Sequence, residues 1–151
     1  MVPVTPVELI LLARTLLKLG EQALPEPDGG RTGGERAVVV VMSDIYLHDG
    51  TTVTEVARRT GLPQSAVSGA VTRLREAGSV LAEPDPADRR RQLLRRDPTL
   101  SARRRQVASA DITPAVAAAL GDRAALPEVL AALETLNRHL TPAAIRRLTQ
   151  A

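Results

Sequence analysis

The stretch Thr52–Leu74, TVTEVARRTGLPQSAVSGAVTRL, decides the fold. Thr52 followed by Glu55 is a capping box, in which each end of the pair satisfies an orphan N–H of a new helix. That helix runs to about Thr60. Gly61-Leu62-Pro63 makes a turn, and Gln64 to Ala77 forms a second helix that Gly78 ends. Ala57, Gly61 and Val67 stand at intervals of four and six. A helix-turn-helix needs a small residue where its helices cross, a Gly where the turn demands positive φ, and a branched apolar anchor on the second helix. Val56, Leu62, Val71 and Leu74 complete the apolar side. An ordinary helical hairpin containing Ala and Gly satisfies the same spacing, so the neighbouring sequence has to arbitrate.

The neighbouring sequence is a hairpin with a basic tip. Short strands are expected at Ser79 to Glu83 and Gln92 to Arg96. Between them lies Pro84-Asp85-Pro86-Ala87-Asp88-Arg89-Arg90-Arg91. The prolines stiffen the tip and reduce its freedom to pair as a ladder. Leu81 and Leu93 are expected to tie the strands to the core, and Arg89 and Arg91 to point to the other face from Arg90.

Outward from this segment the chain reads as helix. Thr5-Pro6-Val7-Glu8 is a helix start, and that helix should stop at Gly20. Its apolar residues cover more than one face, so it must be buried on two sides. Pro25 to Gly34 is a loop by composition. Glu35 to His48 holds four consecutive valines, which favour a strand by propensity; its length and context favour a buried helix. The segment from Leu100 to Ala110 is left open between helix, strand and loop. Helices follow from Ile112-Thr113-Pro114 through Leu120, from Ala125 to Leu140, and after Thr141-Pro142. In the middle one Leu126, Val129, Leu130, Leu133, Leu136 and Leu140 make a stripe at near-heptad spacing.

Composition narrows the chemistry. The 151 residues suit one domain with one real core. They include one Tyr (Tyr46), no Phe, no Trp and no Cys, which excludes aromatic-stacking sites, disulfides and thiolate metal sites. His48 and His139, the two histidines, are read as structural, and no metal or other cofactor is expected. Gly29-Gly30-Arg31-Thr32-Gly33-Gly34 lacks the strand and Lys of a phosphate loop. No nucleophile–base pair is visible, so no enzyme is indicated. The apolar run Leu9–Leu12 is too short for a membrane span or an export signal, and a cytoplasmic location is expected.

Net charge is +3, unevenly spread. Arg73 to Arg105 contains ten Arg against five acids, so the rest of the chain is net acidic. Basic charge confined to one segment suggests a polyanionic partner there. Nineteen of the twenty basic residues are Arg, the side chain suited to phosphate forks and narrow grooves, although a GC-rich genome would enrich Arg equally.

The run Thr52–Ser68, continuing through Leu74, Gly78 and Asp85-Pro86-Ala87-Asp88-Arg89-Arg90, resembles the MarR family of winged helix-turn-helix regulators. The resemblance is specific over about Thr52 to Leu94; the flanking helices agree in order and character. It implies a mainly α fold with a small β-hairpin wing. A winged helix-turn-helix domain over 35–100 would be flanked by N- and C-terminal dimerisation helices at 1–24 and 110–151. It also implies a recognition helix in the major groove, an Arg at the wing tip in the minor groove, and an Asp two residues before that Arg to fix it. Those roles fall on Arg90 and Asp88. Gln64, Ser65, Ser68, Thr72 and Arg73 match the recognition helix, where Gln can pair with adenine and Arg with guanine. Thr52 and Thr54 suit phosphate contact, and Arg89 and Arg91 are phosphate or surface partners. Tyr46 is a candidate to line the pocket in which the family takes small anionic or phenolic effectors; a Tyr packed in the core is the plainer reading.

This sequence departs from the family at Gly69, where a basic or polar residue is usual. It departs again at Arg95-Arg96-Asp97-Pro98-Thr99-Leu100, which replaces the usual Leu-Thr segment. Arg103, Arg104 and Arg105 are read as a solvated face. The expected function is a homodimeric transcriptional regulator, a repressor, binding palindromic double-stranded DNA under control of a small-molecule effector. The rival is a winged-helix module for protein or metabolite with little DNA binding.

Overall fold

A computed structural model of the chain describes residues 2–26, 34–99 and 102–150. The elements in order are α1 (Pro6–Ala23), α2 (Glu35–Leu47), α3 (Val53–Thr60), α4 (Gln64–Glu76), β1 (Val80–Pro84), β2 (Gln92–Arg96), α5 (Ala102–Ala108), α6 (Thr113–Ala119), α7 (Leu126–His139) and α8 (Ala143–Thr149). The chain is thus mainly helical, with a two-stranded antiparallel hairpin. It divides into two compact units, one formed by 1–26 with 109–141, the other by 27–108 with 142–151. The last helix, α8, which the sequence groups with the C-terminal helices, therefore falls in the unit that carries the hairpin. Most of the expected loop at Pro25–Gly34, with its Gly-rich run, lies outside the described residues.

The hairpin unit is built on α2. The valine run forms a helix here, because Val41 and Ile45, one turn apart, are both 0% exposed and face α3 and α4. Val56 of α3, Val67, Ala70, Val71 and Leu74 of α4, and Val80 and Leu94 of the hairpin close the same core. Each buried Val, Leu or Ile side chain contributes roughly 1.5–3 kcal/mol of burial, which offsets the poor helix propensity of consecutive valines. The α3–α4 turn follows the expected plan. Thr52 caps α3 with its hydroxyl accepting the Glu55 N–H, and Gly61 takes a left-handed φ of 73°.

The wing corrects two expectations. Its register pairs Val80 with Arg96, Ala82 with Leu94 and Pro84 with Gln92, so Val80, Ala82 and Leu94 face the core. Leu81 is exposed and Leu93 only half-buried on the opposite face. Three apolar residues in succession, Val80-Leu81-Ala82, hide which phase of the alternation points inward. The tip is the second correction. Residues 89–91 lie in a turn rather than a strand, so strand alternation does not distribute the three arginines. Thr51 adds a third, one-residue rung: its carbonyl accepts from Leu94 N at 2.7 Å, and Gly50 N donates to Leu94 O at 2.9 Å.

Three further readings change. α1 runs past Gly20 to Ala23, since an isolated Gly weakens a helix without ending it. The open segment after the wing contains α5. Arg104, expected on a solvated face, is 8% exposed and donates to the carbonyls of Asp97 (2.9 Å) and Thr99 (3.1 Å). Arg105 is exposed as expected.

In the other unit α6 packs against α1 and α7, with Val116 as its buried residue. No residue of α1 is buried, and Val7, Leu9, Ile10, Leu11, Leu12 and Leu17 are exposed. The stripe on α7 is half-buried from Leu126 to Leu133 and exposed at Leu136 and Leu140. Among the described residues no helix is long and apolar enough to cross a membrane.

The turn offers a clean test. A Cβ built on Gly61 meets nothing within 4 Å, so any loss on substitution is conformational. Gly61→Ala is expected to destabilise the protein by about 1–2 kcal/mol in urea unfolding, and Gly61→Asn by less. An Ala variant with an unchanged midpoint contradicts the strained-turn account.

Candidate nucleic-acid interface

The exposed face of α4 comprises Gln64, Ser65, Ser68, Gly69, Thr72, Arg75 and Glu76. At 100° per residue Ser68, Thr72 and Arg75 form its central row. These side chains are short or terminal, so the helix surface is open to a groove. Thr72 returns its hydroxyl to the Ser68 carbonyl at 3.1 Å. Gln64 Nε2 donates to Thr54 Oγ1 at 3.3 Å, which holds the amide over the start of α3.

Arg73 does not share this face. It is half-buried on the flank toward α2, with Nη2 4.0 Å from Glu35 Oε1 and Nη1 beside Gly34. The basic residue on the open face is Arg75, which the sequence reading passed over. Its signal was the spacing Ser68, Thr72, Arg75, at i, i+4 and i+7.

Asp88 works on the backbone. Its carboxylate accepts the Arg90 N–H at 3.0 Å and its carbonyl the Arg91 N–H at 2.9 Å. The Asp thus shapes the turn that presents Arg90 rather than gripping the guanidinium. Asp85 repeats the device one step earlier, accepting the Ala87 N–H at 2.9 Å, while Asp85 N donates to Arg91 O at 3.0 Å. Arg89 and Arg90 are exposed and form no ion pair with any described residue. Arg91 turns back toward acids, with Nη2 3.6 Å from Glu55 Oε1 and Nε 4.0 Å from Asp85 Oδ2.

An open groove of about 600 Å³ lies between the start of α3 and the base of the wing. Thr54, Arg58 and Arg90 contribute its polar rim. Arg58, exposed one turn after Thr54, is a second cation the sequence reading missed. Thr52 is 7% exposed, and both its N–H and its hydroxyl are used by the capping box.

A polar network holds this assembly. Arg59 forks onto Asp44, with Nη2 to Oδ2 at 2.7 Å and Nε to both carboxylate oxygens at 3.1 Å. The same Nη2 donates to Thr51 Oγ1 at 2.6 Å, and Thr51 Oγ1 donates to Glu55 Oε2 at 2.8 Å. His48 Nδ1 lies 2.9 Å from the Asp44 carbonyl oxygen. On the outer face of the hairpin Arg95 joins Asp49 at 2.8 Å and Glu83 at 3.3 Å.

Tyr46 is half-buried; its hydroxyl donates to the Ser79 carbonyl at 3.3 Å. The guanidinium groups of Arg96 and Arg104 lie over its ring, 4.9 and 5.0 Å from the centroid. No group of three or more potential metal ligands occurs among the described residues.

A family model described as the MarR family matches residues 41–91, the segment from the middle of α2 through the wing tip. Solved structures agree on the fold. The PcaV transcriptional regulator from Streptomyces coelicolor, in complex with its natural ligand, is 23% identical over 95% of this chain and 99% of its own, with a TM-score of 0.55. Bordetella bronchiseptica BpsR, described as regulated in DNA binding by 6-hydroxynicotinic acid, is 25% identical over 82% of this chain and 96% of its own, with a TM-score of 0.51. Overoxidized AbfR bound to DNA is 19% identical over 89% of this chain and 90% of its own, also at 0.51. No curated protein sequence matches the chain.

Within the matched segment the surroundings of Glu55 favour its charged form. The Thr51 hydroxyl, then the Thr52 N–H, Arg59 and Arg91, hold its carboxyl below the usual 4.5, against the opposing effect of burial. A depressed folded value means its stabilisation is present above the unfolded value and lost as pH falls through the folded one. Acid unfolding of Glu55→Gln should therefore show a shallower loss of stability below about pH 4.5 than the wild type. Parallel pH profiles contradict the assignment.

Proposed function

We propose that this protein is a sequence-specific double-stranded DNA-binding transcriptional regulator and not an enzyme. It acts as a homodimer in the cytoplasm, represses its target, and is released by a small-molecule effector. The observation that carries the reading is the pairing of an open polar face on α4 with a wing tip whose Arg89 and Arg90 are exposed beside it. Gln64, Ser65, Ser68, Thr72 and Arg75 face the major groove, where short polar side chains reach base edges and phosphates. Arg90 enters the minor groove, whose narrow form concentrates negative potential. Thr54 and Arg58 take phosphates at the start of α3. Thr52 contributes by capping α3, Asp88 by shaping the tip, and Arg73 by bracing α4 against α2.

Dimerisation is supported by α1, which has no buried residue and exposes six large apolar side chains between Val7 and Leu17. A stripe of that extent needs a covering partner. A second copy does this with two-fold symmetry and sets two recognition helices about one DNA turn, roughly 34 Å, apart on a palindromic operator. The effector reading draws on the natural ligand bound to PcaV and on the control of BpsR by 6-hydroxynicotinic acid. An effector that reaches Tyr46 would take the place of one of the two guanidinium groups over its ring.

Selection of bound duplexes from a random pool should return a palindrome. On it, Arg90→Ala should lower affinity for all sequences alike and reduce the salt slope by about one. Affinity unchanged by Arg90→Ala at moderate salt sinks the role of the wing. A wild-type protein that binds mixed DNA weakly and without salt dependence favours a protein- or metabolite-binding module instead.

A further inference from the structure

We infer that Glu55 and Arg91 form a brace that sets the angle of the wing, so that Arg91 acts as a positioning residue and leaves the DNA contact to Arg90. The inference rests on the DNA-binding reading for its functional consequence, although the brace itself is a property of the free protein.

Both ends of the pair are fixed before they meet. Glu55 Oε2 accepts from Thr52 N at 3.1 Å and from Thr51 Oγ1 at 2.8 Å, which leaves Oε1 aimed at Arg91 Nη2, 3.6 Å away. Arg91 has its N–H on Asp88 O and its carbonyl on Asp85 N, so the residue closes the tip turn from both sides. Its guanidinium has a second acid, Asp85, at 4.0 Å. An exposed ion pair usually loses much of its attraction to the ordering of two long side chains. Here most of that ordering is already done by the capping box and the tip turn.

The position of the pair gives it leverage. Glu55 sits on α3, one turn from the start of the helix-turn-helix, and Arg91 is the last residue before β2. The wing also meets the residue before the α3 cap through the Thr51–Leu94 rung, at the middle of β2. The tip, from Asp85 to Arg91, has no other ion pair to α3 among the described residues. A tip that projects beyond the last strand contact can swing, and a swing moves Arg90 relative to the α4 face. The brace stops that motion at the cost of using one of the three tip arginines internally.

The experiment is a double-mutant cycle with Glu55→Gln and Arg91→Gln, read in two ways. Glutamine at 55 keeps an acceptor for Thr52 and Thr51, so the cap survives and the charge on Arg91's partner is lost. In the free protein each single variant should speed hydrogen exchange at the Asp85 and Arg91 amides, and the double should be no faster than the faster single. On DNA each should weaken binding about two- to fivefold with the salt slope unchanged, and the double should match a single. Additive losses, or an Arg91→Gln slope lower by about one, mean that Arg91 touches phosphate directly and overturn the brace. Unchanged exchange in both singles also overturns it, whatever the DNA result. A wild type that fails to bind DNA, with exchange behaving as stated, keeps the brace and removes the DNA reading instead.

Discussion

The fork of Arg59 on Asp44 is the constraint on which the rest of the hairpin unit depends. Both side chains are mostly buried, at 17% and 11% exposed, so the pair is largely out of water. Such a pair is weak evidence for added stability, because desolvation offsets much of its attraction. What it supplies is geometry. The guanidinium has one orientation that satisfies Asp44 of α2 and Thr51 at once, and Thr51 is the residue that pairs with Leu94 of β2. Helix α3, helix α2 and the hairpin are thereby fixed at one point, and Glu55 extends the same network to the wing tip.

The function follows from what this junction leaves exposed. Polar groups that could have competed for a partner are already engaged: Thr52 in its cap, Arg73 on the α2 flank, and Arg95 with Asp49 and Glu83 on the outer face of the hairpin. The groups left outward include the short side chains of α4 with Arg75, Arg58 on α3, and the tip arginines Arg89 and Arg90. A rigid frame presenting a low-relief helix beside two cations is suited to a duplex, whose shape changes little along its length and whose charge is regular.

Much of this was legible in the sequence because the helix-turn-helix imposes different residue types at fixed spacing. Thr52 with Glu55, Gly61 and Val67 could be placed with few alternatives, and the structure has each in its expected role. The wing was legible as an element but its inward face was not: Val80-Leu81-Ala82 and Leu93-Leu94 offer apolar residues in both phases, and packing of the hairpin against α2 and α4 decided between them. Arginines were the hardest to place. Their long stems allow Arg104 to be buried over Tyr46 and Arg73 to bend to α2, so charge density along the chain says little about which guanidinium faces solvent. Arg75 and Arg58 were recoverable from helical spacing alone. The network through Asp44, Arg59 and Thr51 joins residues up to fifteen positions apart, and no local pattern announces it.

The most direct test of the central claim, that one rigid frame presents α4 and the wing tip together, is backbone amide mapping by NMR as a selected duplex is titrated in. The account predicts concerted shifts at Gln64, Ser65, Ser68, Thr72 and Arg75 and at Arg89 and Arg90, all following one binding curve, with Val41 and Ile45 unmoved. Shifts confined to α1 and α7, or tip and α4 residues that titrate on separate curves, would contradict it.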